Sequence, residues 1–186
     1  MKTLIILIAL IVTCTTSFSA DLRNVSWGDS KKKVMAIEKV KPDYVKKDAL
    51  GFKSSLAGIK TLVLYNFEND KLVNAIITNY TKHTNTTDYI DDYNTMLDLL
   101  SKKYGAPDKE SIDWKNDLYK NDPQHWGMAV AVGHLSYFSG WKIPRSYISL
   151  MLDGDRFEVN QRLLYHEKNS FEKSTVKSEQ NNIDQL

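Results

Sequence analysis

The side chains that could do chemistry are few and scattered. Four histidines, His83, His125, His134 and His166, are the only imidazoles in 186 residues. No two lie three to five apart, the spacing that sets two metal ligands on one helical face or in one finger. Asp122, His125 and His134 are the one set near enough in sequence to suggest a metal-assisted hydrolase. Nucleophilic chemistry has no Gly-x-Ser-x-Gly elbow to work with. The glycines are dispersed and form neither a phosphate-cradling loop nor a dinucleotide fingerprint, so no cofactor is expected. Asp153-Gly154-Asp155 lacks the further oxygen ligands that a calcium loop needs and reads as a turn.

Aromatic side chains are better grouped. Trp114, Tyr119, Trp126, Tyr137, Phe138, Trp141 and Tyr147 fall in one region, interleaved with Asn116, Asp117, Asn121, Asp122, Gln124 and Arg145. Large rings beside amide and carboxylate groups suit peptide or sugar recognition, because they give wide contact and directional polar groups at low entropic cost. Trp114, Tyr119, Trp126, Trp141 and Arg145 are therefore the candidate binding residues. The competing reading is that several of these rings are core. The long Asn- and Asp-rich stretch from Trp114 to Trp126 reads as a loop, and loops carried on a sheet often bind.

The elements that would position these residues can be read from periodicity. Asp29 or Ser30 can cap a helix running to about Val40, which Pro42 ends. Thr61 to Glu68 and Leu72 to Tyr80 alternate, with Asn69-Asp70 between them, and predict a hairpin. Both faces of these strands carry apolar residues, which predicts cover on both sides or a central position. Ile90, Tyr93, Leu97, Leu100 and Tyr104 make one apolar stripe over a helix from Asp88 to Tyr104, stopped by Gly105 and followed by Pro107. Strands are predicted again at Met128 to Phe138, Tyr147 to Leu152 and Arg156 to Tyr165, the last two closed by Asp153-Gly154-Asp155. Each half thus starts with a helix, meets a proline and continues into antiparallel strands. The fold class is α+β, an antiparallel sheet with two helices packed on one face, built as two helix-plus-hairpin quasi-repeats. The halves are about 21–80 and 88–167 of a single domain at 21–167, and residues 168–186 read as a disordered polar tail.

Residues 1–20 have the order of a secretory signal: a positive Met1-Lys2 start, an apolar run from Leu4 to Val12, and small residues up to Ser19 and Ala20. The run is short of the roughly 20 residues that span a bilayer, so no transmembrane segment is expected once it is cut. Cleavage after Ser19 or Ala20 would remove Cys14, the sole cysteine. The alternative is a lipid anchor at Cys14, since Ile11-Val12-Thr13-Cys14 sits where a lipobox would sit, although threonine before the cysteine is unusual there. The expected location is secreted or periplasmic. A net charge of +2, with 25 basic against 23 acidic residues, offers no clustered basic face for nucleic acid.

Trp27-Gly28-Asp29-Ser30 at a helix start, Lys103-Tyr104-Gly105-Ala106-Pro107 at a helix end and Trp126-Gly127 at a strand entry resemble a group of uncharacterised exported bacterial proteins. The helix-proline-hairpin order in each half also resembles the fold of the β-lactamase inhibitor protein and of the small lipoprotein of the outer-membrane barrel-assembly machinery. That resemblance implies a non-enzymatic interaction module with a protein or peptide partner, and it transfers no functional residue. Three functions stand as expectations: an exported binding module using its sheet face and the loop from Trp114 to Trp126, a metal-assisted envelope hydrolase, and a purely structural envelope protein.

Overall fold

A computed structural model describes residues 21–183; the expected signal segment and Cys14 lie outside them. The order is α1 (Lys31–Glu38), β1 (Tyr44–Lys46), β2 (Ala49–Leu56), β3 (Ile59–Glu68), β4 (Lys71–Asn79), α2 (Asp88–Tyr104), β5 (Lys109–Trp114), α3 (Trp126–Ala131), β6 (Leu135–Ile143), β7 (Ser146–Asp155), β8 (Glu158–Glu167) and α4 (Lys168–Ile183). The eight strands form one antiparallel sheet in the order β1-β2-β3-β4-β8-β7-β6-β5. Each half is a helix followed by four strands, and the halves meet where β4 pairs with β8. The α+β class and the antiparallel sheet expected from the pattern are therefore present.

Local chemistry accounts for the elements that sequence located well. Ser30 caps α1, its side chain accepting from the Lys33 amide. Asn69 and Asp70 both take positive φ, 50° and 60°, in the β3–β4 turn, the mirror-image turn that suits the twist of a two-residue hairpin. Gly105 ends α2 at φ 87°, a region that an L side chain rarely enters.

Four expectations need correction. Met128 to Ala131, read as strand, belongs to helix α3, and β6 starts only at Leu135. Its short apolar run is buried from Ala129 to Ala131 without a polar face, so periodicity could not separate helix from strand. The β7–β8 turn is Arg156-Phe157, both at positive φ, and not Asp153-Gly154-Asp155. Gly154 is required elsewhere: the Val130 carbonyl of α3 sits where its Cβ would be. β1, β2 and β5 were not foreseen, since β1 and β5 are short and β2 alternates weakly. The tail expected to be disordered forms α4, whose first turn is capped by Glu167 accepting from the Asn169 and Ser170 amides at 3.2 and 2.6 Å.

One face of the sheet holds the core. Val63, Tyr65, Ala75, Ile77, Leu163, Tyr165, Ile148, Leu150 and Trp141 point there, all buried, against Val34 of α1, Tyr93, Met96 and Leu100 of α2, and Ala129 and Val130 of α3. The first described residues join this core: Leu22, Val25 and Trp27 are buried, and the Trp27 indole donates to Ser146 at 2.8 Å. Among the described residues no helix is long and apolar enough to cross a membrane.

A polar chain fastens the two halves. At the end of the β4–β8 pairing, Asn79 lies opposite Gln161, and its side-chain amide donates to Gln161 at 3.0 Å and to Asp92 of α2 at 2.7 Å. Asp92 in turn bonds His83 at 2.8 Å, and Gln161 reaches Met96 Sδ at 3.2 Å. Gln161 is only 1 % exposed, so losing a partner there strands a buried polar group, which costs about 1–3 kcal/mol. Asn79→Ala should lower the unfolding free energy by about 2 kcal/mol, a drop in melting temperature of roughly 4–8 °C for a domain of this size. Urea titration checks this; a change within about 0.5 kcal/mol would mean that the chain does not hold the halves.

Candidate functional site

The five residues singled out for binding do not converge. Trp114, at the end of β5, and Trp126, at the start of α3, meet edge to face at 5.8 Å between ring centroids. Tyr119 stacks on His125 and His134 at 5.8 and 6.0 Å. The loop between them is wound into two short 3-10 turns, Asp117–Tyr119 and Pro123–His125. All three rings pack half-buried against the core. Trp141 is 3 % exposed, its indole donating to the Gly105 carbonyl at 2.9 Å, so it locks the end of α2 and presents no ring to solvent. Arg145 pairs with the buried Asp21 at 3.2 Å near the start of the domain. The aromatic cluster is thus chiefly packing, because rings of this size are worth most where both faces are covered.

The metal set does not assemble either. Asp122 and His125 bond each other at 2.6 Å across one turn, while His134 turns to Tyr119 and keeps its Nδ1 buried without a partner. Among the described residues no three His, Cys, Asp or Glu side chains come together as a metal group.

What the fold does present is the sheet face opposite the helices. Registered pairing carries three rows across it. Leu64, Ile76, Leu164, Ser149 and Gly140 form the middle row; Leu62, Thr78, Arg162, Met151 and Phe138 lie to one side; Asn66, Asn74, His166, Tyr147 and Lys142 lie to the other. Apart from Lys142, which is exposed, every one of these is half-buried, where the core-facing residues between them are buried. The double-sided apolar pattern, which predicted cover on both sides or a central position, is therefore the mark of central strands with α1, α2 and α3 on one face and α4 touching only one end of the other. That pattern was the signal for Leu62, Leu64, Ile76, Met151 and Leu164, which went unmarked as functional candidates.

Two adjoining depressions mark this face, both bordered by Lys109 and Phe138. The larger, ≈ 560 Å³, runs over Gly140, Tyr147, Leu164 and His166 to Phe171 of α4. The Phe138 ring lies against Gly140, which has no side chain to hold it away. The second, ≈ 430 Å³, is polar and lined by Ser111, Asp113, Lys115, Ser136 and Asp153. Asp153 is held by Arg162 at 2.6 Å. The face thus grades from an apolar end beside α4 to a charged end beside β5.

Helix α4 closes the apolar end through its first turn. Phe171 meets Tyr147 and His166, each at 5.1 Å between centroids, and the Tyr147 hydroxyl donates to Glu172 at 2.8 Å. Burial holds the His166 pKa below its ordinary value, so the docked helix disfavours the imidazolium. Above the ordinary histidine value near 6.5 both docked and undocked forms are neutral and docking is independent of pH. As pH falls through that value the undocked form takes up the proton more readily, and docking weakens. The protection factor of the Ser170 amide, its exchange corrected for the intrinsic pH dependence, should accordingly fall between about pH 7 and about pH 5, and His166→Phe should flatten the profile. An unchanged slope in His166→Phe would show that another group sets it.

No protein-family model, no curated protein and no solved structure matches this chain.

Proposed function

We propose that the protein is an exported, non-enzymatic binding module that takes a protein or peptide partner on the open face of its sheet, in the cell envelope or outside the cell. One observation carries this reading. Leu64, Ile76 and Leu164 lie side by side across three strands, with Leu62, Met151 and Phe138 in the flanking row, on a face that α1, α2 and α3 leave uncovered. An apolar field rimmed by polar groups is the usual mark of an interaction surface. Its centre is rigid, since it is built on strands rather than loops. Lys109, Lys115, Lys142, Asp113 and Asp153 supply the charged rim that sets orientation. The resemblance to inhibitor-type modules read from the sequence also implies a macromolecular partner.

The export part of the reading rests on the order of residues 1–20, a positive start, an apolar run from Leu4 to Val12 and small residues up to Ser19 and Ala20. N-terminal sequencing of native material should begin at Ala20 or Asp21; a start at Met1 in protein from the cell interior would sink the location.

Leu64→Asp with Leu164→Asp places two carboxylates in the middle row without entering the core. Crosslinking in intact cells should lose the wild-type adduct by about tenfold or more in this variant, with an unchanged far-ultraviolet spectrum. Trp114→Ala and Trp126→Ala should instead lower the melting temperature and leave the adduct in place. An adduct that survives the double substitution, or disappears only with the tryptophans, would move the site to the Trp114–Trp126 loop.

A further inference from the structure

The sheet has two edges of different character. β1 is three residues long, whereas β5 runs six, from Lys109 to Trp114. The Lys115 amide donates to the His134 carbonyl at 2.7 Å, continuing the register in which Asp113 faces Ser136 and Ser111 faces Phe138. Antiparallel neighbours alternate between bonded and outward-facing residues. Ser111 and Asp113 therefore turn their backbone groups toward β6, and Glu110 and Ile112 turn theirs away from the sheet. Ile112 is 55 % exposed. A row of outward N–H and C=O groups of this length is a template for another strand.

A depression lies on each side of this edge. The polar one on the open face is bordered by Ser111, Asp113 and Lys115. On the helix side, a cleft of ≈ 260 Å³ opens between β5 and α2, lined by Glu110, Ile112, Tyr93, Asn94, Tyr137 and Ser139. Side chains of an added strand alternate between the two faces, so they would enter the two depressions in turn. The cleft is also short of a partner. Tyr137 is 7 % exposed, yet its hydroxyl is buried with no hydrogen bond, while the neighbouring Tyr93 hydroxyl is joined to Ser139 at 2.8 Å. Burial, reinforced by the Glu110 charge, pushes the Tyr93 phenol up to about 12, and burial raises Tyr137 as well. Two neutral phenols and the Glu110 carboxylate make a pocket for a cationic side chain, which gains both the charge and the ring faces.

We infer that β5 accepts an extended peptide as a ninth strand, with a lysine or arginine side chain entering the cleft at Glu110, Tyr93 and Tyr137. This rests on the reading of the protein as a peptide- or protein-binding module but uses the sheet edge rather than its open face. Main-chain bonds to Glu110 and Ile112 supply affinity, and the cleft selects the charge. The mixed charges of Lys109, Glu110, Asp113 and Lys115 keep unselected strands off the edge.

The probes are a decapeptide alternating threonine with lysine and its counterpart with glutamate, titrated into the intact protein by calorimetry and followed by amide exchange. The lysine peptide should bind about tenfold or more tightly than the glutamate one and slow exchange at Glu110 and Ile112. Ile112→Pro removes an outward N–H that the native ladder does not use, a position where proline is tolerated. It should abolish that binding, and Glu110→Gln should erase the preference for lysine. Leu64→Asp with Leu164→Asp, which tests the open face, should leave peptide binding intact, so the two readings fail separately. Equal binding of both peptides, binding retained by folded Ile112→Pro, or no binding with both amides unprotected would each overturn the inference. Should Ile112→Pro not fold, the charge preference in Glu110→Gln decides alone.

Discussion

The pairing of β4 with β8 is the interaction on which the rest of the structure depends. Every other strand pair joins neighbours within one half, as hairpins or, for β5 and β6, across the segment that carries α3. Only Asn74 to Asn79 against Gln161 to His166 makes one sheet of two. Gln161, Asn79, Asp92 and His83 continue that junction from the core to the start of α2. A polar chain in a core has demanding geometry, since each buried donor must meet its acceptor or the site costs more than an apolar one would. Slipping the junction by one residue would put Ala75 and Ile77 on the opposite face from Leu163 and Tyr165, turning one of these two sets out of the core. The same register therefore sets which side chains are buried and which reach the open face.

From that junction the functional geometry follows. Helices α1 and α2 follow their halves onto one face, α1 entering the core through Val34 and α2 through Tyr93, Met96 and Leu100. Glu38 of α1 accepts from the Tyr65 hydroxyl, and Arg23 bonds Glu38 in turn at 3.2 Å. With α1, α2 and α3 committed to that side, the alternate residues of β3, β4, β8, β7 and β6 share the other. Apolar side chains remain there because the strands are central and their neighbours shield them in part. A row such as Leu64, Ile76 and Leu164 is stable on a free domain but gains from further burial, at roughly 25 cal/mol per Å² of apolar surface removed from water.

Much of this was legible in the sequence, and the failures have physical causes. The α2 stripe, the Gly105 stop and the Asn69-Asp70 turn were readable because one local rule decided each of them. The aromatic cluster was harder to read because composition cannot tell a ring that binds from one that packs: Trp141 is buried and Trp114 half-buried, with identical side chains. Gly154 misled for a related reason. Asp-Gly-Asp is good turn chemistry, but the glycine is needed because α3 passes over it, a contact with a residue 24 positions earlier in the chain. The open face was hidden behind a correct observation, apolar residues on both sides of β3 and β4. Whether the second side is covered depends on how many helices the chain supplies and where they go.

The two halves share a plan but not an edge, and the difference is informative. In the first half the edge strand is reduced to Tyr44–Lys46, and Tyr44 crowds Gly51 so closely that a Cβ there would meet it at 2.9 Å. Short edges are one way a sheet avoids unwanted pairing. In the second half the edge is twice as long, stands away from α2 by a cleft, and lies beside Tyr137 of β6, whose buried hydroxyl has no hydrogen bond. A domain protecting itself from aggregation would gain nothing from an orphaned Tyr137 hydroxyl or from Ile112 exposed on the strand. Charged side chains at Lys109, Glu110, Asp113 and Lys115 guard this edge without closing it, which admits a strand of complementary charge. The asymmetry between otherwise equivalent halves is thus best understood as one edge shaped for silence and the other for recognition.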